Sequence, residues 1–289
     1  MGLDRTLLFK LATSQAWERA VRALPPTEAL ARRAAATYLA GDSAQDALAV
    51  ADRLHTQGVS ASIDRFGELE VDPRQIDAVV GEYRRLANAV AGHTWLSVDL
   101  THLGLDLDPA ACADRLAEIA TALRPGQRLQ VGAEDAARTD AVLHCVTSVA
   151  VSHAPRLGAT IQANLLRSGD DVARLVDAGL HVRLVKGAYV ESRHVAHPYG
   201  PATDVAFLRL AHDLARRAAD FSIASHDDVM CEAVLEALGP VPMEQLLGVR
   251  PERLSRFVAR GVPVRVYVPY GPSWFRYWMR RWAESRGAG

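Results

Sequence analysis

Cysteine, lysine and long apolar runs are all scarce in this chain. Three cysteines, Cys112, Cys145 and Cys231, occur in 289 residues, and none forms a CxxC pair. That spacing excludes a disulfide scaffold or a zinc ribbon and fits a reducing compartment. No apolar stretch reaches the roughly 18 residues that a membrane-spanning helix needs. The opening MGLDRTLLFK also lacks the apolar region of a signal peptide, so a cytoplasmic protein is expected. Neither sign of charge dominates: 33 basic residues face 34 acidic ones, a net charge of −1, which gives no electrostatic footprint for nucleic acid. Several motifs are missing too. Without GxGxxG after a strand, GxxxxGK, HExxH or GxSxG, the sequence offers no Rossmann-held dinucleotide, P-loop, zinc protease or serine hydrolase. No metal site is expected. Finally, lysine occurs only at Lys10 and Lys186. Where arginine fills nearly every basic role, a lysine inside an apolar run points to a place that needs a compact point charge.

What is present is a rhythm. Residues 1–55 read as alanine-rich helices broken at Leu24-Pro25-Pro26 and Gly41-Asp42-Ser43. Strand-like runs then recur at 59–66, 95–100, 128–134, 159–165, 181–188, 221–227, 243–249 and 264–271. Segments with helical spacing separate them, such as 109–124 and 204–219. The run 243–249, MEQLLGV, is the weakest, because it could equally begin a helix. Eight strands alternating with helices predict a (β/α)₈ barrel over 56–289, preceded by a helical segment over 1–55. In such a barrel the active face lies at the strands' C-terminal ends. Those ends carry Asp64, Glu68, Asp99, Thr101, Glu134, Asp135, Gln162, Asn164, Arg183, Lys186, Ser225, His226, Tyr267 and Tyr270. Polar residues at a rim can simply meet water. Arg183 is different, because strand alternation puts it on the same face as Val185.

Two stretches carry chemistry. In RLVKGAYVES (183–192) two cations sit inside an apolar strand, which is costly unless an opposite charge or an electron-rich ligand meets them. In GPSWFRYWMRRWAES (271–285), Trp274, Trp278 and Trp282 recur at helical spacing beside Arg280-Arg281. Spacing alone allows an amphipathic last helix with two solvated arginines, or a guanidinium pair that grips a carboxylate.

Together these stretches resemble the proline dehydrogenase family, FAD-dependent enzymes that oxidise proline to pyrroline-5-carboxylate. The likeness runs from about residue 45 to the C-terminus with its motifs in order. It implies a distorted (β/α)₈ barrel whose final helix lies over the mouth. It implies FAD contacts from Gln162, Arg183, Lys186, Gly187, Thr203, Ser225 and His226, with Arg183 facing flavin N5 and the cations answered by the flavin. Thr203-Asp204 and Ala224–Asp227 fall where the family contacts FAD. It further implies that Arg280 and Arg281 bind the substrate carboxylate, that Tyr267 and Leu246 pack on its ring, that Tyr189 helps close the pocket, and that Glu68 pairs with Arg280. Arg183, Lys186 and Tyr267 are then the expected catalytic residues. The acceptor implied for the electrons is a membrane quinone, with peripheral membrane contact.

Three pocket positions depart from the family pattern. Asp99 stands where the family has a lysine, Gly132 where it has an aspartate, and Asn164 where it often has a tyrosine. In one account Asp99 supplies the carboxylate lost at Gly132, pairs with Arg280 or Lys186, and proline remains the substrate. In the other, Asp99 meets a second donor on a different carboxylate-bearing secondary amine, such as a hydroxyproline or a small hydrazino acid. Two further readings stay open: a Schiff-base lyase using Lys186 as nucleophile, and a non-catalytic flavin-binding relative.

Overall fold

Eight short parallel strands close into a barrel in sequence order. They are β1 (Ser60–Arg65), β2 (Trp95–Val98), β3 (Leu129–Val131), β4 (Leu157–Gln162), β5 (His181–Val185), β6 (Phe221–Ala224), β7 (Met243–Leu246) and β8 (Val264–Tyr270). All eight overlap the expected runs, including the weak one at 243–249, and β4 begins two residues earlier than expected. The computed structural model describes residues 25–287, except the side chains of residues 25, 26, 280 and 282–287. The helices expected before residue 25 lie outside the described residues.

Around the strands stand α1 (Pro25–Ala35), α2 (Ala44–His55), α3 (Pro73–Ala89), α4 (Pro109–Ala122), α5 (Thr139–His153), α6 (Ser168–Asp177), α7 (Pro201–Arg216), α8 (Asp228–Leu238), α9 (Glu252–Ala259) and α10 (Trp274–Gly287). Their starts follow from local chemistry. Asp72, Asp108 and Asp227 cap α3, α4 and α8 through side-chain bonds to first-turn N–H groups, and Ser43 with Asp46 forms a capping box on α2. The residues facing outward from the strands, such as Val182 and Leu184 in β5, are buried under these helices in one apolar core.

The distortion lies at the seam between β8 and β1. There α2, not the last helix, packs against both strands, and its Ala47, Val50, Ala51 and Leu54 join the barrel core. Freed from that position, α10 packs on α1 instead. Its Trp274, Phe275, Tyr277 and Met279 cluster with Ala31, Ala35 and Leu39 of the N-terminal region and with Phe66, just past β1. Of the aromatic stripe, Trp274 is therefore buried against protein and Trp278 half-buried, and the side chain of Trp282 lies outside the described residues. No helix among the described residues is long and apolar enough to cross a membrane.

Candidate active site

The interior of this barrel is polar, and that is where the site begins. In β5, His181, Arg183 and Val185 point inward by strand alternation. Arg183 is 7% exposed, and its Nη2 lies 2.6 Å from Glu244 Oε2 of β7 and 3.5 Å from Ser97 Oγ of β2. Glu244 is itself buried. Burial pushes its carboxyl up, but Arg183 outweighs that and holds it below the usual range. From sequence, a flavin is the expected partner of this cation. A carboxylate already meets it, and Glu244 is not among the expected residues.

Lys186 follows the end of the same strand at the rim. Its Nζ lies 2.5 Å from Asp204 in the first turn of α7 and 2.6 Å from Asp227. Asp227 serves twice, because its other oxygen caps α8 through the N–H groups of Val229 and Met230. Burial pulls the Lys186 ammonium down, but the two carboxylates outweigh it and raise its pKa. A lysine held protonated in this way is a poor Schiff-base nucleophile, which needs a neutral amine. The pairing of Lys186 with Asp99, considered from sequence, is replaced by these two acids.

Asp99 stands instead over Gly132. A Cβ added at Gly132 would meet Asp99 Oδ1 at 1.8 Å, so the carboxylate occupies the space that a side chain at 132 would need. The two departures are thus one packing arrangement. Asp99 also adds to the rise in the pKa of Tyr267, which burial drives first and Asp64 second. Tyr267 of β8 donates to Asp64 Oδ2 at 2.5 Å, and Tyr83 of α3 donates to Asp64 Oδ1 at 2.9 Å. Burial pushes Asp64 up to about 6 against both bonds and the charge of Arg183, while Glu68 raises it further. Glu134, bonded by Thr101 Oγ1 at 2.6 Å, is raised by burial and again by Glu68. Glu68 is half-buried between these two acids' neighbourhoods.

Between β4 and β7 the rim is knitted by other expected residues. Gln162 is buried and donates to the Glu134 carbonyl at 2.8 Å. Gly187 has a φ of +110°, and a Cβ there would strike the Asn164 amide, so glycine is required at this close approach. Thr203 is buried and bonds the Pro198 carbonyl, and Ser225 accepts from Asp227 N. His226 Nε2 accepts the N–H of Leu246 at 3.1 Å, which assigns the ring proton to Nδ1. That Nδ1 is buried without a hydrogen-bond partner, as are Arg183 Nε and Asn164 Oδ1. Burial, then the charges of Arg253, Arg281 and Arg250, lower the His226 pKa to about 4, so the ring is neutral at neutral pH.

Arg281 of α10 lies within electrostatic reach of His226, just past β6. The Arg281 guanidinium stands 5.1 Å from the centre of the Tyr277 ring, and Tyr277 stacks on Tyr267 at 6.2 Å and meets Phe66 edge-on at 5.0 Å. The side chain of Arg280 lies outside the described residues. Tyr189 is half-buried, and its hydroxyl donates to the Ala133 carbonyl at 3.3 Å. Phe66, Tyr83 and Tyr277 are not among the residues expected from sequence, because their helical or strand spacing gives no sign beyond core packing. Among the described residues no cluster of His, Cys, Asp or Glu is arranged to hold a metal ion.

Residues 47–288 match the family model described as proline dehydrogenase. Proline dehydrogenase 1 of Bacillus subtilis (strain 168) is 33% identical over 264 residues, covering 88% of this chain and 87% of that protein. Proline dehydrogenase of Deinococcus radiodurans is 29% identical over 280 residues, 90% of each chain. Among solved structures, proline utilization A from Bdellovibrio bacteriovorus, inactivated by N-propargylglycine, aligns with a TM-score of 0.79 at 19% identity. That match covers 96% of this chain and 36% of the other; it bears on the fold, and this chain spans about a third of that larger protein.

Proposed function

The chain belongs to the proline dehydrogenase family, and we propose that it oxidises proline, or a close secondary-amine acid, to the imine with FAD held at the C-terminal ends of β4 to β6. One observation carries the cofactor reading: buried polar atoms at and just below that rim are left unsatisfied. His226 Nδ1 and Arg183 Nε are donors and Asn164 Oδ1 is an acceptor, none with a hydrogen-bond partner. An isoalloxazine edge offers acceptors and one N–H, so this donor set fits it. Gln162, Gly187, Thr203 and Ser225 complete the holding residues, and Lys186 contributes its charge beside them.

When bound, FAD supplies the acceptor for the two electrons and the hydrogen that leave a substrate C–H bond. The chain's own residues prepare the substrate. Arg280 and Arg281 hold its carboxylate, a task suited to paired guanidiniums. Leu246 and the Tyr267–Tyr277 stack cover the ring and exclude water, with Tyr189 and Glu68 at the edge. The amine must lose its proton before a C=N bond can form. Asp64, with a pKa of about 6, is mostly ionised at neutral pH. It takes up that proton at Oδ2 through the hydroxyl of Tyr267. The Asp99 carboxylate over Gly132 favours the account in which an acid has been relocated and proline remains the substrate. The electrons then pass to a separate acceptor, for which the family points to a quinone at the membrane.

The test begins with chromatography of cofactor released by heat, which should identify FAD. FMN, or no flavin after reconstitution, would overturn the cofactor assignment. Anaerobic bleaching of the flavin is then followed with proline, hydroxyproline, a small hydrazino acid and pyrrolidine. Proline should bleach it and pyrrolidine, lacking the carboxylate, should not. Bleaching by another of these acids with proline inert would move the substrate and make Asp99 its reader.

A further inference from the structure

Barrel interiors are ordinarily filled by branched apolar side chains, yet here the layer below the mouth is hydrogen-bonded. The hydroxyls of Ser62 and Ser97 lie 2.7 Å apart. Across β5, β6 and β7 runs a longer chain. Asp220 Oδ1 lies 2.9 Å from His181 Nδ1, and His181 Nε2 lies 3.0 Å from Ser222 Oγ. Ser222 donates to Glu244 Oε1 at 2.6 Å, and Glu244 Oε2 forms an ion pair with Arg183 Nη2 at the same distance. Asp220 sits at the open bottom of the barrel and Arg183 near the mouth. Every member between them is nearly inaccessible to solvent: His181 at 2%, Ser222 at 2% and Glu244 at 4%. A buried carboxylate facing a buried guanidinium does two things to it. It fixes the orientation of the planar fork, and it offsets the field that the cation projects to the other side. Arg265 of β8 also lies within electrostatic reach of Glu244, so the carboxylate is braced on several sides.

We propose that Glu244 is a positioning residue for Arg183: held by Ser222 and His181, it aims the guanidinium and offsets its charge, and so sets how strongly Arg183 favours the reduced form of the flavin. This rests on the proposed reading that FAD lies above Arg183. The two residues should then act with opposite signs. Removing Arg183 takes positive charge from the site and disfavours the reduced, anionic flavin. Removing only the charge of Glu244 leaves Arg183 uncompensated and favours it. A residue needed merely for folding has no reason to produce that reversal.

Wild type, Glu244→Gln, Arg183→Met and the double variant are loaded with FAD, and the flavin midpoint potential is measured in each. Glu244→Gln should shift the reduced-to-oxidised ratio at fixed potential upward about tenfold, equivalent to about 30 mV for a two-electron couple. Arg183→Met should shift it downward, and in its background Glu244→Gln should add little. A Glu244→Gln potential equal to or below that of wild type overturns the proposal. Unfolding of the four apoproteins needs no flavin. The double variant should be more stable than Glu244→Gln alone, because the orphaned cation is gone. Equal instability of the two overturns the pairing. A wild type that takes up no flavin would defeat the functional reading, and the unfolding cycle would still decide whether Glu244 holds Arg183.

Discussion

Arg183 and Lys186 stand three positions apart on one strand, and the barrel treats them in opposite ways. Arg183 is inside, against a single buried carboxylate. Lys186 is at the rim, against two carboxylates that come from the starts of α7 and α8 and keep partial access to water. The inner pair sums to zero charge, whereas the outer group sums to one negative charge. The difference shows what each location tolerates. In the interior an unbalanced charge is expensive, so neutrality and fixed geometry are imposed. At the rim solvent screens the surplus, so the group can carry a net charge.

Breaking the inner pair should have the largest effect. Arg183→Met leaves Glu244 buried without the guanidinium paired to it, a change that costs about 3–5 kcal/mol in stability. With the guanidinium on the proposed flavin side of the site, flavin reduction should slow with little change in substrate affinity. Chemical denaturation and stopped-flow bleaching measure the two effects. An effect confined to KM, at wild-type stability, would mean that Arg183 serves the substrate and not the interior.

The strand that holds the partner of Arg183 is also the strand hardest to read. In MEQLLGV two polar residues, Glu244 and Gln245, interrupt the apolar run, so its pattern suits a helix start as well as a strand. Both are buried; Glu244 joins the interior network, and Gln245 donates to the Ser225 carbonyl at the end of β6. The anomaly of Arg183 is legible, because it shares a face with Val185. Its answer is not, because β5 and β7 flank β6 and meet only through side chains that face the barrel interior, and no local pattern encodes that juxtaposition. The same limit applies to Asp99 and Gly132. The sequence marks each as a separate departure, and only the distance of 1.8 Å from Asp99 Oδ1 to a Cβ at 132 joins them. Tyr83 is hidden for another reason. On the inner face of α3 it reads as core, and the bond of its hydroxyl to Asp64 is set by where that helix packs.

The rim differs from the interior in how it answers pH. His226 is lowered to about 4 from an ordinary 6.5. On acidification the unfolded chain binds this proton first, so stability falls as the pH drops from 6.5 through 4. At about 1.4 kcal/mol per unit, this contributes up to about 3 kcal/mol. Asp64 works in the other direction. Raised to about 6, it holds its proton longer in the folded state, so its contribution to stability falls as the pH rises from 3.8 to 6. In His226→Gln, the loss of stability between pH 6.5 and 4 should shrink by about 3 kcal/mol relative to wild type, read from denaturation curves at both values. An unchanged difference would mean that His226 titrates alike in the folded and unfolded states.

A smaller effect, of about 1–3 kcal/mol, is expected from overpacking at Gly132. Gly132→Ala forces the Asp99 carboxylate away from its seat and should lower both melting temperature and turnover. Adding Asp99→Ala should restore much of the melting temperature, because the clash is with that side chain. If the second substitution restores nothing, the two positions are not one packing unit, and the relocated-acid account loses its basis.

The smallest change in stability should come from the outer group. Lys186→Met leaves Asp204 and Asp227 facing each other without their shared cation, but both keep water, with side chains 28% and 35% exposed. Solvent limits the cost to about 1–2 kcal/mol, below that of Arg183→Met. Asp227 still caps α8 through its other oxygen, so the fold is retained. Flavin affinity is where the variant should suffer, since the rim gains a full negative charge beside the holding residues. Raising salt should recover part of that affinity by screening the two carboxylates. In wild type, borohydride added with a carbonyl compound should leave the peptide that contains Lys186 unmodified, because that amine is held as an ammonium. A stability loss as large as that of Arg183→Met would erase the contrast between interior and rim, and a trapped adduct at Lys186 would show that its amine is free to react.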